Sequence, residues 1–482
     1  MNIVGLALAV SVAVDFNSEI GKIRPELHSS GYGPMICSCP KESIDAIKSM
    51  GFKAARTHDW ALLNSNERVC DYFHIFPLMH LDAKDPKNYH FGPTDYLLER
   101  TRKELGLDIF YRLGTSIEHS GEKVHFNTLI PDDFDKVAEI FAGTVRHYNH
   151  GWANGRKWGI KYWEIWNEPD GHNNMWCLPD GDRGHGATDA ERAADFAVRE
   201  KKRMELFAKF FVTCIKRLKS EFPEIKVGGP ALCYMNVNYF SALFKACKEA
   251  GVAPDFISWH HYAKDPEAIM DAIAAGRKLC DSFGFTDCEL IINEWHFFGE
   301  YTWADLRSSD PDVRRRVWAG PASHNGIDSS CFNLTMLSKF QTSKLDQAYY
   351  YGCRHVGSWG FMDEFMEKYK VFYGLRMFSD FIKNHHVICK SDVEGSKSVT
   401  ALAAKSEGGT QKGVLVVDYR GGAKEVAIDV KGIPDGCVKA WVHDYAHDYE
   451  TVPARIANGR LTLTKSDANS AAFLVLFSND KQ

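Results

Sequence analysis

Two segments carry the chemistry of this chain. Lys161-Tyr-Trp-Glu-Ile-Trp-Asn-Glu-Pro-Asp170 ends an apolar run in Asn167-Glu168-Pro169, and Glu289-Leu-Ile-Ile-Asn-Glu-Trp-His296 ends another in Asn293-Glu294. Two strand-end glutamates, each following an asparagine, form a pair with a definable use. One carboxyl group gives a proton to a leaving oxygen, and the second attacks, or activates water at, an anomeric carbon. The alternative is a pair of salt-bridged structural carboxylates, and the repeated Asn-Glu tip with similar flanks speaks against it.

The rest of the chain predicts how such tips are held. Eight strand-like runs alternate with helical ones: Glu26–Ser30, Lys53–Asp59, Leu107–Gly114, Lys161–Asn167, Lys226–Ala231, Phe256–Tyr262, Leu290–Glu294 and Asp346–Tyr351. Helices are expected over Ser43–Met50, Asp95–Leu105 with Asp95 as its cap, Asp132–Tyr148, Asp189–Phe222, Tyr239–Ala250 and Pro266–Phe283. This is the pattern of an α/β fold, a (β/α)8 TIM barrel, whose active sites lie at the C-terminal tips of the strands. From about Lys390 the pattern changes to short alternating runs with Gly-rich turns: Ser398–Ala404, Lys412–Tyr419, Glu425–Val430, Lys439–Asp444, Arg460–Thr464 and Ala471–Phe477. These predict an accessory antiparallel β-sandwich. Val10, Val12, Val14 and Phe16 alternate with polar or small residues, so an N-terminal strand joins it. The expected division is a barrel over 21–380 and a sandwich made of 1–20 plus 381–482.

Bulk properties exclude several classes. With 58 Lys+Arg against 63 Asp+Glu the net charge is −5, and without a basic stripe nucleic acid is not an expected partner. A neutral carbohydrate fits better, and the 13% of aromatic residues include flat rings suited to sugar faces as well as to cores. The 13 cysteines include no Cys-x-x-Cys pair, so neither a zinc ribbon nor a redox motif is expected. No run of about 20 apolar residues supports a membrane span. Residues 1–14 are apolar, yet no Lys or Arg precedes Lys22, so they read as structure rather than as a signal peptide. The expected location is periplasmic or extracellular, with the export signal absent from this chain; the cytoplasm is the alternative.

Trp166-Asn-Glu-Pro169 on the fourth strand with Glu294 ending the seventh resembles the clan of (β/α)8 retaining glycosidases. Val14-Asp-Phe-Asn-Ser-Glu-Ile-Gly-Lys22, Arg56-Thr-His-Asp59 and Pro254-Asp-Phe-Ile-Ser-Trp-His-His-Tyr262 extend the likeness, and the whole set resembles glycoside hydrolase family 39, the β-xylosidase and α-L-iduronidase family. The resemblance implies a covalent glycosyl-enzyme, with Glu168 as acid/base and Glu294 as nucleophile, their carboxyl groups roughly 5 Å apart. It also implies that Arg56 and Tyr262 keep Glu294 ionised and that Asn167 orients the sugar 2-hydroxyl. Glu168 needs its pKa raised, and Trp163 or Trp166 would supply the apolar neighbours. Further substrate contacts are expected from His58 and His260, with His28, His261 and Trp295 as additional tip residues. Tyr350 and Trp359 are candidates for a platform under the sugar ring.

No cofactor and no metal are expected. His172, Asp180, Asp182 and His185 cluster after Glu168, but their spacing fits no metal motif and they read as a solvated loop. Arg314-Arg-Arg316 reads as a solvated helix face. The Tyr262 tip resembles the xylosidase side of the family, while the loops Gly171–Asp189 and Glu300–Asn325, with Trp176, Trp303 and Trp318, match nothing familiar. The expected activity is therefore a retaining, β-xylosidase-like exo-glycosidase. A transglycosylase using the same intermediate and a non-catalytic carbohydrate-binding protein are the rivals; sugar, linkage and oligomeric state are not readable.

Overall fold

The computed structural model describes residues 10–33, 39–60, 68–116, 128–171, 175–181, 184–356, 359–363, 365–466 and 469–478. After a first strand β1 (Val10–Lys22), eight strands close into a parallel barrel. They are β2 (Ser29–Tyr32), β3 (Ala54–His58), β4 (Asp108–Leu113), β5 (Tyr162–Ile165), β6 (Lys226–Leu232), β7 (Phe256–Ala263), β8 (Glu289–Phe297) and β9 (Gln347–Tyr350). Closure is made by β9 against β2, where Ser29 faces Tyr349 and Ser30 faces Tyr350. All eight expected strands are present, but the first is displaced. Pro25 lacks an N–H and opens a 3-10 turn over Pro25–Leu27, so pairing begins only at Ser29.

Four of the intervening helices start where a short polar side chain takes up their free N–H groups. Asp133 caps Phe134–His150, Asn236 caps Val237–Glu249, Asp265 caps Pro266–Ser282, and Thr188 with Glu191 forms a capping box on Asp189–Glu221. Asp95 does not cap. The helix begins earlier, at Gly92–Arg100 with Pro93 in its first turn, and Asp95 instead bonds His147 Nε2 at 2.9 Å.

The barrel interior is stacked in layers because successive inward positions are two residues apart. Ala54, Phe110, Phe256, Ile291 and Tyr349, with Tyr162, plug its lower half. Two positions further along β3, β4, β5, β7 and β8 stand Arg56, Arg112, Glu164, Ser258 and Asn293, all fully buried. The floor of the barrel mouth is thus polar while the plug beneath it is apolar.

Beyond the barrel, β10 (Arg354–Val356) and β11 (Gly360–Met362) form a small parallel pair. The C-terminal strands are β12 (Val387–Glu394), β13 (Val399–Lys405), β14 (Gln411–Asp418), β15 (Glu425–Lys431), β16 (Gly436–His443), β17 (Glu450–Ile456), β18 (Arg460–Thr464) and β19 (Ala471–Ser478). With β1 they make one nine-stranded sheet in the order β17-β16-β19-β14-β13-β12-β1-β15-β18. The sheet is mixed, contrary to the antiparallel expectation, because β1 runs antiparallel to β12 but parallel to β15. The strands β12 and β17 were not anticipated; both alternate buried and exposed residues only weakly. Val10, Val12, Val14 and Phe16 of β1 pack with Val414, Val416, Ile428 and Phe473 in a core of their own, whereas Leu402, Leu415, Val417 and Leu474 join the barrel's core. Polar ties cross the same junction: Tyr419 Oη donates to Lys264 O (2.7 Å) and Arg420 Nε to Asp328 (2.8 Å).

Candidate active site

Arg56 on β3 is the centre of the barrel mouth. Its Nε donates to Glu164 (2.6 Å), its Nη1 to Glu294 Oε1 (2.9 Å) and its Nη2 to Asn167 Oδ1 (2.7 Å). Glu164 itself accepts from Ser258 Oγ and Asn293 Nδ2, each at 2.6 Å, so it fixes the arginine that fixes the other two. Sequence reading missed Glu164. The signal was there: a carboxylate in the middle of Tyr-Trp-Glu-Ile-Trp has no place in a barrel strand unless buried polar partners meet it.

Glu294 also accepts from Tyr262 Oη at 2.8 Å, and Glu168 is bonded to His260 Nδ1 at 2.7 Å. The same His260 nitrogen stands 3.4 Å from Glu294. One oxygen of each glutamate and one nitrogen of His260 lie within 4.8 Å of one another. Glu168 reaches this position because the chain turns sharply at the end of β5, with φ of 73° at Trp166 and 44° at Glu168. Such left-handed backbone costs a non-glycine residue about 1–3 kcal/mol. The turn is held by Trp166 N donating to Leu113 O and Glu168 N to Ala231 O.

Burial pushes the Glu294 carboxyl up to about 7, and the neighbouring Glu168 adds to this, while Arg56 and the Tyr262 hydroxyl favour the anion. Arg56 and Tyr262 thus pull toward the anion, as the resemblance implies, against a burial that pulls the other way. Burial also lowers His260 to about 4 and places His58 well below its ordinary value, so both are neutral imidazoles. Glu168, His260 and Glu294 could offer three ligand atoms to a metal ion. The guanidinium on Glu294 works against a divalent cation there, since it already occupies one carboxylate oxygen with a positive charge.

The structure brings together Glu168, Glu294, Asn167, Arg56, His58, His260 and Tyr262. His58 stands 3.6 Å from Glu294. Trp359 lies at the rim, its ring 6.1 Å from Tyr262 and 5.2 Å from Tyr351. Three expected contacts are corrected. His28 precedes β2 at the opposite end of the barrel, bonded to Met50 O and packed on Phe52 and Phe378. Trp295 points away from the mouth, against Phe340 and Tyr350. Tyr350 is buried with its hydroxyl on His296 Nε2 (2.6 Å); its neighbour Tyr351 is the residue beside Tyr262, stacked on Tyr32 at 5.0 Å. His261 follows His260 and so faces the other side of the sheet. Trp163 packs on Tyr111 in the barrel wall and Trp166 on Trp176 beneath the helices, where they build core.

The unmatched loops divide in use. Trp303, 48% exposed, stands edge-on to Tyr262 and 6.1 Å from Trp359, and Trp318 packs on His324, which itself abuts Trp359. Loop 300–325 therefore supplies an aromatic rim. Trp176 of the earlier loop is core, while Asp180 and His185 both engage Arg199; His172 and Asp182 lie outside the described residues. Arg314, Arg315 and Arg316 are exposed on their helix, as expected.

No protein-family model matches the chain. A β-xylosidase of Geobacillus stearothermophilus is 25% identical over 296 residues, which make up 55% of this chain and 52% of that enzyme. The chain spans about half the length of that relative. Two solved structures share the fold of this chain over nearly its whole length. A glucosidase of Croceicoccus marinus superimposes with a TM-score of 0.71 at 18% identity, covering 98% of this chain and 100% of the other. The family 39 enzyme of Xanthomonas axonopodis pv. citri gives 0.67 at 14% identity, covering 97% of each.

Proposed function

We propose that the chain is a retaining exo-glycosidase of β-xylosidase type, with Glu168 as acid/base and Glu294 as nucleophile. The observation that carries this is the approach of the two carboxyl groups to within 4.8 Å through their nearest oxygens. Inverting enzymes need a wider gap, about 6.5–9.5 Å, to admit a water between the carboxyl groups. In the first step Glu294 attacks the anomeric carbon while Glu168 passes its proton to the departing oxygen. In the second, Glu168 takes a proton from water, which attacks the same carbon and releases Glu294. Arg56 and Tyr262 stabilise Glu294 as it leaves again, and Asn167, held by Arg56, presents its Nδ2, which has no partner in the protein, toward the sugar. The relative named as a β-xylosidase and the neighbours named as glycosidases support a carbohydrate substrate. Incubation with a 2-fluoro glycoside, followed by peptide mass mapping, should place the label on Glu294. A label on another residue removes the nucleophile assignment of Glu294.

The titration of Glu294 sets a further expectation. Turnover needs its anion, so kcat/KM should fall as pH drops through about 7, tenfold per unit below. Glu168→Gln removes the like charge beside it, so the acid limb measured with an activated aryl glycoside should move to lower pH. A limb that stays or rises contradicts the pairing.

We infer also that the nine-stranded sheet is a β-sandwich domain made of residues 1–20 and 381–482, attached to a barrel over 21–380. β17 and β18 are joined by three residues yet stand at opposite ends of the strand order, which requires the sheet to coil on itself.

A further inference from the structure

Arg112 is used by nothing in the mechanism, yet it stands on the inner face of β4 at the barrel mouth. β3 and β4 pair Arg56 with Phe110, so two residues on, His58 and Arg112 come side by side, both pointing inward and both fully buried. The guanidinium is close enough that its charge helps hold His58 neutral. Its Nη2 donates to Asp71 Oδ1 (2.6 Å) and to Ser116 Oγ (3.0 Å). Its Nε and Nη1 have no partner, and neither ring nitrogen of His58 makes a hydrogen bond, although His58 lies 3.6 Å from Glu294. A buried donor without a partner costs about 1–3 kcal/mol. These unpartnered groups, two nitrogens of Arg112 and the His58 ring next to it, are most simply donors and acceptors awaiting a ligand.

Which ligand follows from the geometry of the guanidinium. A carboxylate binds arginine by two parallel bonds along an edge, and both available edges, Nε with Nη2 and Nη1 with Nη2, include Nη2. Nη2 is already engaged by Asp71 and Ser116. Nε, with one N–H, and Nη1, with two, lie on different edges, and each can meet a single acceptor of the kind a hydroxyl or ring oxygen supplies. The carboxylates Asp59, Asp71, Glu164, Glu168 and Glu294 outnumber the arginines whose charge reaches the mouth, Arg56, Arg112, Arg68 and Arg354, which disfavours a further anion. We propose that Arg112, together with His58, binds hydroxyl groups of the sugar held at Glu294, and that this sugar is a neutral aldose ring and not a uronic acid. The proposal rests on the glycosidase reading of the site and adds Arg112 to it.

The test uses the full chain, the aryl glycoside it turns over fastest in a panel that includes matched uronides, and the monodeoxy analogues of that glycoside. Arg112→Met removes the donors; Arg112→Lys keeps a cation for Asp71 and guards against a variant that fails to fold. With the parent glycoside both variants should lose kcat/KM, roughly 10- to 100-fold for Met. With the one deoxy analogue that lacks the contacted hydroxyl, the wild type should show a similar loss and the variants little more. A merely structural arginine would give the same loss on every analogue, and that outcome overturns the proposal. So does preference of the wild type for a uronide over its neutral counterpart. Failure of the wild type on every glycoside in the panel instead removes the glycosidase reading, and with it this one.

Discussion

Glu294→Gln is expected to lower kcat by roughly 10⁴-fold or more, on natural and activated glycosides alike, because the group that forms the covalent bond is gone. The substitution changes little else. Gln keeps the shape, and its amide oxygen can still accept from Arg56 Nη1 or Tyr262 Oη, so the loss should appear in kcat with the melting temperature near that of the parent protein. Added azide or formate with the Glu294→Ala variant and an activated aryl glycoside should restore part of the rate by supplying an external nucleophile. Comparable turnover in the parent and the Gln variant would falsify the nucleophile role.

Glu168→Ala should separate substrates by their leaving groups. A poor leaving group, such as a sugar hydroxyl, needs the proton of Glu168, and its cleavage is expected to fall by roughly 10²–10⁴-fold. An activated aryl leaving group departs without that proton, so its first step should be nearly unaffected and the enzyme should accumulate as the glycosyl ester. The contrast is measured as kcat/KM on an aryl glycoside and on a disaccharide of the same sugar. Equal loss on both would take Glu168 out of the acid role and leave it a structural partner of His260.

The Asn167-Glu168-Pro169 and Asn293-Glu294 tips were legible because both glutamates end apolar runs, and the structure puts them where those runs point. Arg56, His58, His260 and Tyr262 were legible for the same reason: they continue the inward phase of their strands. The errors are errors of phase. Trp295 and Tyr350 sit one residue from Glu294 and Tyr351, and a single step along a strand turns a side chain from the mouth to the helix layer. His28 fails differently, since Pro25 delays the start of β2 and leaves it at the far end of the barrel. Glu164 and Arg112 were passed over because a charged residue inside a strand gives no hint of its partner. Those partners, Ser258 and Asn293 for one and Asp71 for the other, come from segments far away in sequence. The parallel pairing of β1 with β15 is likewise a matter of tertiary contact that no local pattern encodes.

That pairing has a consequence for how the protein is made. The strand β1 occupies an interior place in its sheet, between β12 and β15, and Ser11 pairs with Glu394. On the ribosome β1 emerges well before both of its neighbours, which come hundreds of residues later. At about 5–20 residues per second, Val10, Val12, Val14 and Phe16 wait on the order of 20–80 s for the strands that cover them. During that interval the barrel can close while its first strand hangs exposed, a short apolar edge open to pairing with another nascent chain. Yield in a heterologous host should therefore depend on translation rate and on chaperones that shield this strand, more than on the stability of the finished fold.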